Sequence, residues 1–286
     1  MSIWRTTRFA IDLSRPRVMG IVNVTPDSFS DGGQHGQTRQ AIDHLERLRE
    51  EGADIIDIGG ESSRPGAATV PLEEELARVL PVLRHAMRLG VPVSVDTRRT
   101  AVMQVALDEG ADIINDIQAL RAPGAEQLLA QHDCAGICLM HMRSEPSSMQ
   151  QAVHYADVVA EVSSFLQARA AAMLAIGVAR ERIVLDPGIG FAKTAEHNLQ
   201  LHLRQYELLS LGFPLLVGWS RKSTLGTITG RPVTERLAAS VAAALASAMR
   251  GASVLRVHDV AATVDALKIW QSFGMPVGST LSPPDA

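Results

Sequence analysis

Cysteine is almost missing from the 286-residue chain, with Cys134 and Cys138 as its two examples. That excludes a disulfide framework and suits a reducing compartment. The four-residue spacing of the pair would serve two ligands of a metal, yet no further Cys or His cluster completes a site, and buried free thiols are expected. Charge of one sign is lacking too. With 27 basic and 31 acidic residues, a formal net charge of -4 gives no overall attraction to nucleic acid or anionic lipid, so any anion binding must be local. The opening "MSIWRTTRFAIDLSRP" places Arg, Asp and Pro where a secretion signal needs an unbroken apolar core. No later run approaches the ~20 apolar residues of a membrane span. These absences predict a soluble cytoplasmic protein with neither nucleic-acid nor membrane partner. Nor does a Pro/Gly/Ser-rich linker or a shift of composition divide the chain. Residues 1–286 are expected to form one domain, for which an apolar content of 46% suffices.

What is present repeats. Short β-branched runs end in polar residues eight times, as "VMGIVNVT", "ADIIDIGG", "VPVSVDT", "ADIINDI", "GICLMHM", "IVLDPGI", "PLLVGWS" and "VLRVHD". Between them lie Ala-, Leu- and Glu-rich stretches with helical spacing, such as "LEEELARVLPVLRHAMRL", which Pro81 is expected to kink, and a long Ala-rich helix near residues 152 to 177. Gly in "EEGAD", "DEGAD" and "RLGVP" marks helix C-caps. Nearly continuous apolar strands alternating with helices argue for a parallel sheet covered by helices. Eight such units predict a closed (β/α)8 TIM barrel, with the first sixteen residues as an N-terminal extension at the barrel bottom.

In such a barrel the active site lies at the C-terminal ends of the strands. Those ends carry Asn23, the stretch from Asp57 to Ser63, Asp96, Asn115, Met140 with His141, Asp186, Ser220 to Ser223, and Arg256 with His258. Side chains alternate along a strand, so Arg256 and His258 point the same way and could form an anion site, although an internal salt bridge from Arg256 to a neighbouring Asp is an equal reading. Asp96 and Asp186 alone could cap helices. Together with Asn115 they offer acceptors and donors suited to a flat heterocycle with amide and amino groups, a guanine-like or pterin-like edge. In "VGWSRKSTLGTITG" Ser220, Arg221, Lys222 and Ser223 stand where a helix should start and would favour a negative group. The "GxxxxGK[ST]" frame of a Walker loop is missing, and no spacing suggests a nucleophilic triad.

Eight segments in order, "MGIVNVTPDSFSDGG", "GGESSRPGA", "VDTRR", "INDI", "LMHM", "LDPGIGFAK", "SRKSTLG" and "RVHDV", span residues 19 to 260 and resemble the dihydropteroate synthase family of pterin-binding enzymes. The resemblance implies condensation of p-aminobenzoate with 6-hydroxymethyl-7,8-dihydropterin diphosphate by an SN1-like course, giving 7,8-dihydropteroate and diphosphate in folate biosynthesis. It implies Mg2+ as cofactor and a homodimer. By similarity Asp96, Asn115, Asp186, Met140 and Lys222 match the pterin pocket. Asn23, Arg256 and His258 match the diphosphate site, Asn23 through Mg2+. Ser63, Pro65, Phe191, Ser223 and Phe29 match the p-aminobenzoate pocket. Asp96, Lys222, Arg256 and His258 are the residues the resemblance places at the reacting centre. A corrinoid methyltransferase barrel would share the Asp/Asn pocket but has no diphosphate to hold.

Two departures stand out. The family string "ESTRPG" has Ser63 here in place of Thr, and "GFGFGK" is here "GIGFAK", with Ile189 and Ala192 in place of Phe and Gly. The polar, glycine-bearing "NVTPDSFSDGG" is expected to act as a mobile lid in which Pro26 redirects the chain and Phe29 closes over the aminobenzoate ring.

Overall fold

The computed structural model describes residues 3–25, 33–62, 69–132, 134–143 and 153–274. Two short strands, β1 (Ile3–Arg5) and β2 (Ala10–Asp12), pair antiparallel. Eight parallel strands then alternate with helices. They are β3 (Arg17–Asn23), β4 (Ile55–Gly59), β5 (Val93–Asp96), β6 (Ile113–Asp116), β7 (Gly136–Met140), β8 (Ile183–Asp186), β9 (Leu216–Val217) and β10 (Val254–Val257). β3 to β8 pair in sequence order, and β10 joins β3 to β9. The remaining seam closes through a parallel bridge between Leu185 and Leu215, beside which the Leu185 N–H donates to the Pro214 carbonyl over 3.0 Å. The eight strands, with their helices outside, make the expected (β/α)8 barrel.

The helices are α1 (Gly33–Glu50), α2 (Leu72–Ala86), α3 (Thr100–Asp108), α4 (Ala125–Gln131), α5 (Val158–Ala175), α6 (Ala195–Leu203), α7 (Gln205–Leu209), α8 (Ser223–Thr229), α9 (Leu237–Met249) and α10 (Val260–Ser272). Outward strand residues such as Val18, Val22, Ile56, Ile58, Val95, Ile114 and Leu185 pack under them in the main core. Burial on both faces is why the strands read as apolar runs without alternation. Gly52, Gly90 and Gly110 take the left-handed φ that ends a helix, at +95°, +70° and +92°. α2 is unbroken across Pro81. α5 begins at Val158, later than the Ala-rich composition suggests, because the Asp157 carboxylate caps it by accepting from the Val159 and Ala160 N–H groups at 2.9 and 3.1 Å. By length and composition α5 is also an exception to the expectation that no run approaches a membrane span, at 18 residues and a mean hydropathy of 1.3. Here its Val159, Val162, Leu166 and Met173 pack in the core around the sheet, and its Arg169 pairs with Glu126 at 2.5 Å.

The N-terminal hairpin plugs the lower end of the barrel, as the sequence predicts. Trp4 is fully buried, and its indole N–H donates to the Arg182 carbonyl just before β8 over 2.9 Å. With Ile11 and Leu13 it packs on the first inward residues of the strands, among them Met19, Ile55, Ile113, Cys138, Val184, Leu216 and Val254. The Arg8 guanidinium meets the buried Asp112, immediately before β6, at 2.6 Å. Moving up each strand by two residues keeps the inward direction and reaches the polar positions. Ile55 leads to Asp57, Ser94 to Asp96, Ile113 to Asn115, Cys138 to Met140, Val184 to Asp186, and Val254 to Arg256 and then His258.

Candidate active site

A cavity of about 640 Å³ opens at the C-terminal ends of the strands. Asn23, Asp96, Asn115, Met140, Asp186, Phe191, Lys222, Ser223, Arg256 and His258 all line it, so ten residues nominated from six strand ends and two following loops share one space. Phe29, Ser63, Pro65 and the lid assigned to Pro26 and its neighbours lie outside the described residues.

The floor is a charge network. Arg256 Nε donates to Asp57 Oδ2 at 2.6 Å, and its Nη2 to Asp96 Oδ2 at 2.7 Å. Asn115 Nδ2 reaches the same Asp57 oxygen at 3.4 Å. The internal salt bridge that the sequence leaves open is therefore present, and it is shared by two carboxylates. It leaves Arg256 Nη1 without a hydrogen bond to another described residue, so the guanidinium retains donors towards the cavity. Burial opposes the Arg256 charge, but Asp57 and Asp96 outweigh it and raise its pKa further. Burial pushes the Asp96 carboxyl upwards; Arg256 opposes this, while Asp57 adds to it. Asp57 itself is fully buried, and its Oδ1 finds no hydrogen-bond partner among the described residues.

Across the cavity, burial raises Asp186 to about 6, against the Gly188 N–H, which donates to its Oδ1 at 2.7 Å, and the charge of Lys222. Lys222 Nζ lies 4.0 Å from the centre of the Phe191 ring, a cation–π pair that forms one wall. Gly190 is needed beside it, since at φ +81° an added Cβ would stand 2.9 Å from Lys222 Cδ. Ser220 and His258 are joined twice: Oγ contacts the imidazole Nδ1 at 3.0 Å and accepts the His258 backbone N–H at 3.2 Å. Ile189 lines the cavity, whereas Ala192 is fully buried with a left-handed φ of +50°. That backbone gives a physical reason for the Gly of the family string at this position.

Two participants escape sequence reasoning, and a third, Asp57, falls within the nominated stretch from Asp57 to Ser63 without a role of its own; it sits mid-strand, and the rarity of a buried charge, applied above to Arg256, would have singled it out. Arg236 comes from the segment between α8 and α9. It lines the cavity and donates from Nη1 to the carbonyls of Arg221 and Lys222 at 3.1 and 3.3 Å, bracing the loop before α8. No periodicity announces that contact. Lys193 is buried behind Phe191 and its sequence neighbours give no hint of where its ammonium goes.

Among the described residues no group of three or more His, Cys, Asp or Glu is arranged to hold a metal by protein ligands alone. The amide oxygen of Asn23, beside Asp96 on the cavity wall, is a donor suited to a hard cation that takes its other ligands from water and a substrate phosphate.

Residues 19–258 match the model of a family described as pterin binding enzyme. A dihydropteroate synthase of Neisseria meningitidis serogroup B is 54% identical over 279 residues, covering 96% of this chain and 98% of that one. Among solved structures, a Xanthomonas albilineans dihydropteroate synthase with 4-aminobenzoic acid superposes with a TM-score of 0.87 at 52% identity, covering 93% of this chain and 95% of its own. A Burkholderia cenocepacia dihydropteroate synthase complexed with 7,8-dihydropteroate gives a TM-score of 0.87 at 46% identity, with 96% of both chains covered. The chain belongs to the pterin-binding enzyme family. Its activity within that family is dihydropteroate synthesis, in the biosynthesis of folate.

Proposed function

We propose that the cavity divides into three adjoining subsites for that reaction. Asp96, Asn115 and Asp186 receive the N–H and amino edge of the pterin, with Met140 beneath its face and Lys222 at its rim. Asn23, Arg256 and His258 hold the diphosphate. Phe191 and Ser223, together with Ser63, Pro65 and Phe29, surround p-aminobenzoate. The observation that carries this reading is the convergence of two unlike polarities on one space: carboxyl groups and an amide from β5, β6 and β8, and cationic side chains from β10 and the loop after β9.

The chemistry follows from that division. As the C–O bond of the pterin methylene breaks, its electron pair goes to the diphosphate oxygen, where Arg256 and His258 meet the growing charge. The electron-poor methylene left behind is delocalised into the pterin ring and favoured by the nearby Asp96 carboxylate. The neutral amine of p-aminobenzoate then forms the C–N bond and gives up a proton. Asn23 would hold Mg2+, which when bound supplies charge neutralisation for the leaving group. Because the diphosphate draws Arg256 through donors that the Asp57–Asp96 network does not use, the floor stays intact on binding. The protein acts in the cytoplasm as a homodimer in this reading.

Purified protein with Mg2+ should release diphosphate from the pterin substrate only when p-aminobenzoate is present, measured by a coupled phosphate assay. Folded protein that releases none overturns the proposal.

A further inference from the structure

Lys193 has no place in the reaction described above, yet it is 4% exposed and carries a full set of partners. Its Nζ donates to the carbonyls of Gly188 at 2.9 Å, Phe191 at 3.0 Å and His141 at 3.4 Å, and lies 3.0 Å from His141 Nδ1. Burial holds His141 down to about 2, so its imidazole is neutral and can accept. The same burial lowers Lys193 to about 7, with Asp186 working against it. Charge buried to this degree is uncommon unless every donor is used.

The turn around this ammonium takes left-handed backbone three times, at a steric cost only at its one alanine. Gly188, Gly190 and Ala192 all have left-handed φ, at +68°, +81° and +50°. A Cβ on Gly188 would stand 2.0 Å from the His141 carbonyl, so the bare glycine lets the chain after β7 and the turn after β8 close on one another. From the same side the Tyr155 hydroxyl donates to the Ala192 carbonyl at 3.0 Å. Phe191 sits inside this turn, with its carbonyl on Lys193 and its ring under Lys222.

We propose that Lys193 is a positioning residue for p-aminobenzoate: its buried ammonium gathers the carbonyls of Gly188, Phe191 and His141 and so fixes the Phe191 ring as the pocket wall. This rests on the assignment of Phe191 to that pocket. The pterin side is touched less: Asp96 and Asn115 stand on other strands, and the Asp186 carboxylate, held by the Gly188 N–H, feels Lys193 as a weaker charge than Lys222 or Arg256.

The test is steady-state kinetics of Lys193→Met, of Phe191→Ala and of the double variant, with both KM values and the melting temperature recorded. Lys193→Met should raise KM for p-aminobenzoate about tenfold and leave KM for the pterin diphosphate within about twofold, since the hydrogen bonds lost are those that hold the Phe191 turn. In the Phe191→Ala background the same change should add less than about twofold, because the wall it positions is gone. If Lys193→Met does not fold, Lys193→Gln, which keeps two donors, should show the same selectivity at smaller size. Equal rises in both KM values, or additive effects in the double variant, overturn the proposal. An unchanged p-aminobenzoate KM in Phe191→Ala alone overturns instead the pocket assignment on which it rests.

Discussion

The two ends of the barrel are built from the same strands and obey opposite rules. At the lower end Met19, Ile113, Cys138, Val184, Leu216 and Val254 close on Trp4, and the one indole N–H among them is satisfied by the Arg182 carbonyl. Two residues up, the inward positions hold Asp57, Asn115, Asp186 and Arg256, where burial raises the Asp186 carboxyl and one Asp57 oxygen lacks a described partner. Period-two alternation is continuous between these layers, so the change from core to site costs the fold no change of backbone. What differs is the sign of each residue's contribution. The apolar layer stabilises, whereas the polar layer holds groups that burial disfavours, and in the proposed reading the ligands add partners to those that face the cavity.

The comparison breaks most visibly at Trp4. Trp4→Ala removes a fully buried indole from the plug, and a loss of about 3–5 kcal/mol in unfolding free energy is expected from the cavity alone. Urea unfolding measures it. Both KM values of the folded enzyme at 25 °C should stay as they are, since the site is the next layer up; altered KM with unaltered stability would mean that the two layers are not separable.

Asp186→Asn should do the reverse. Its carboxyl is raised from 3.8 to about 6 in the folded protein. Below about pH 4 the group is protonated in both states. Between about 4 and 6 the native protein alone keeps the proton, so the stability this group contributes is full below the unfolded value and lost as pH rises through the folded one. The ionised carboxylate then costs on the order of 3 kcal/mol at pH 7. The Asn variant should therefore match the parent near pH 4 and exceed it increasingly towards pH 7 in calorimetry. In the same variant kcat/KM for the pterin diphosphate should fall about 100-fold, because the amide puts an NH2 donor where the carboxylate offers its second acceptor oxygen to the ligand's N–H groups. A variant that loses both stability and activity at pH 7 would refute the idea that the upper layer is strained for function.

How much of this was legible in the sequence follows from the range of each interaction. All eight barrel strands are readable because burial on both faces marks each run locally, and strand alternation then carries the inward direction up to Asn115 or His258. β9 is the weakest case: "PLLVGWS" yields only Leu216–Val217, with the seam closed by a bridge one residue earlier. The start of α5 is misjudged because composition is continuous across it, while the start signal is a single Asp157 side chain. Partners distant in sequence are the real gap. Arg256 and Asp57 lie 199 positions apart, and nothing local says which carboxylate neutralises which guanidinium. Lys193 is hidden for a related reason, since its partners are mostly backbone carbonyls, which every residue possesses.

The mildest perturbation lies at the rim. Ser223 is exposed where α8 begins, on the wall assigned to the p-aminobenzoate carboxylate. Removing its hydroxyl costs one hydrogen bond to a charged group in a partly solvated place, about 1 kcal/mol, so Ser223→Ala should raise KM for p-aminobenzoate about fivefold. If the hydroxyl contributes equally to ground and transition states, kcat is unchanged. KM for the pterin diphosphate should not move, because its carboxylates stand deeper and on other elements. The contrast with Asp186 is then one of depth as well as subsite: a buried group is strained until its ligand arrives, an exposed one is solvated in both states and contributes only the difference. A fall in kcat as large as the rise in KM would show that Ser223 also aligns the amine for attack, and would move it from the rim into the reacting geometry.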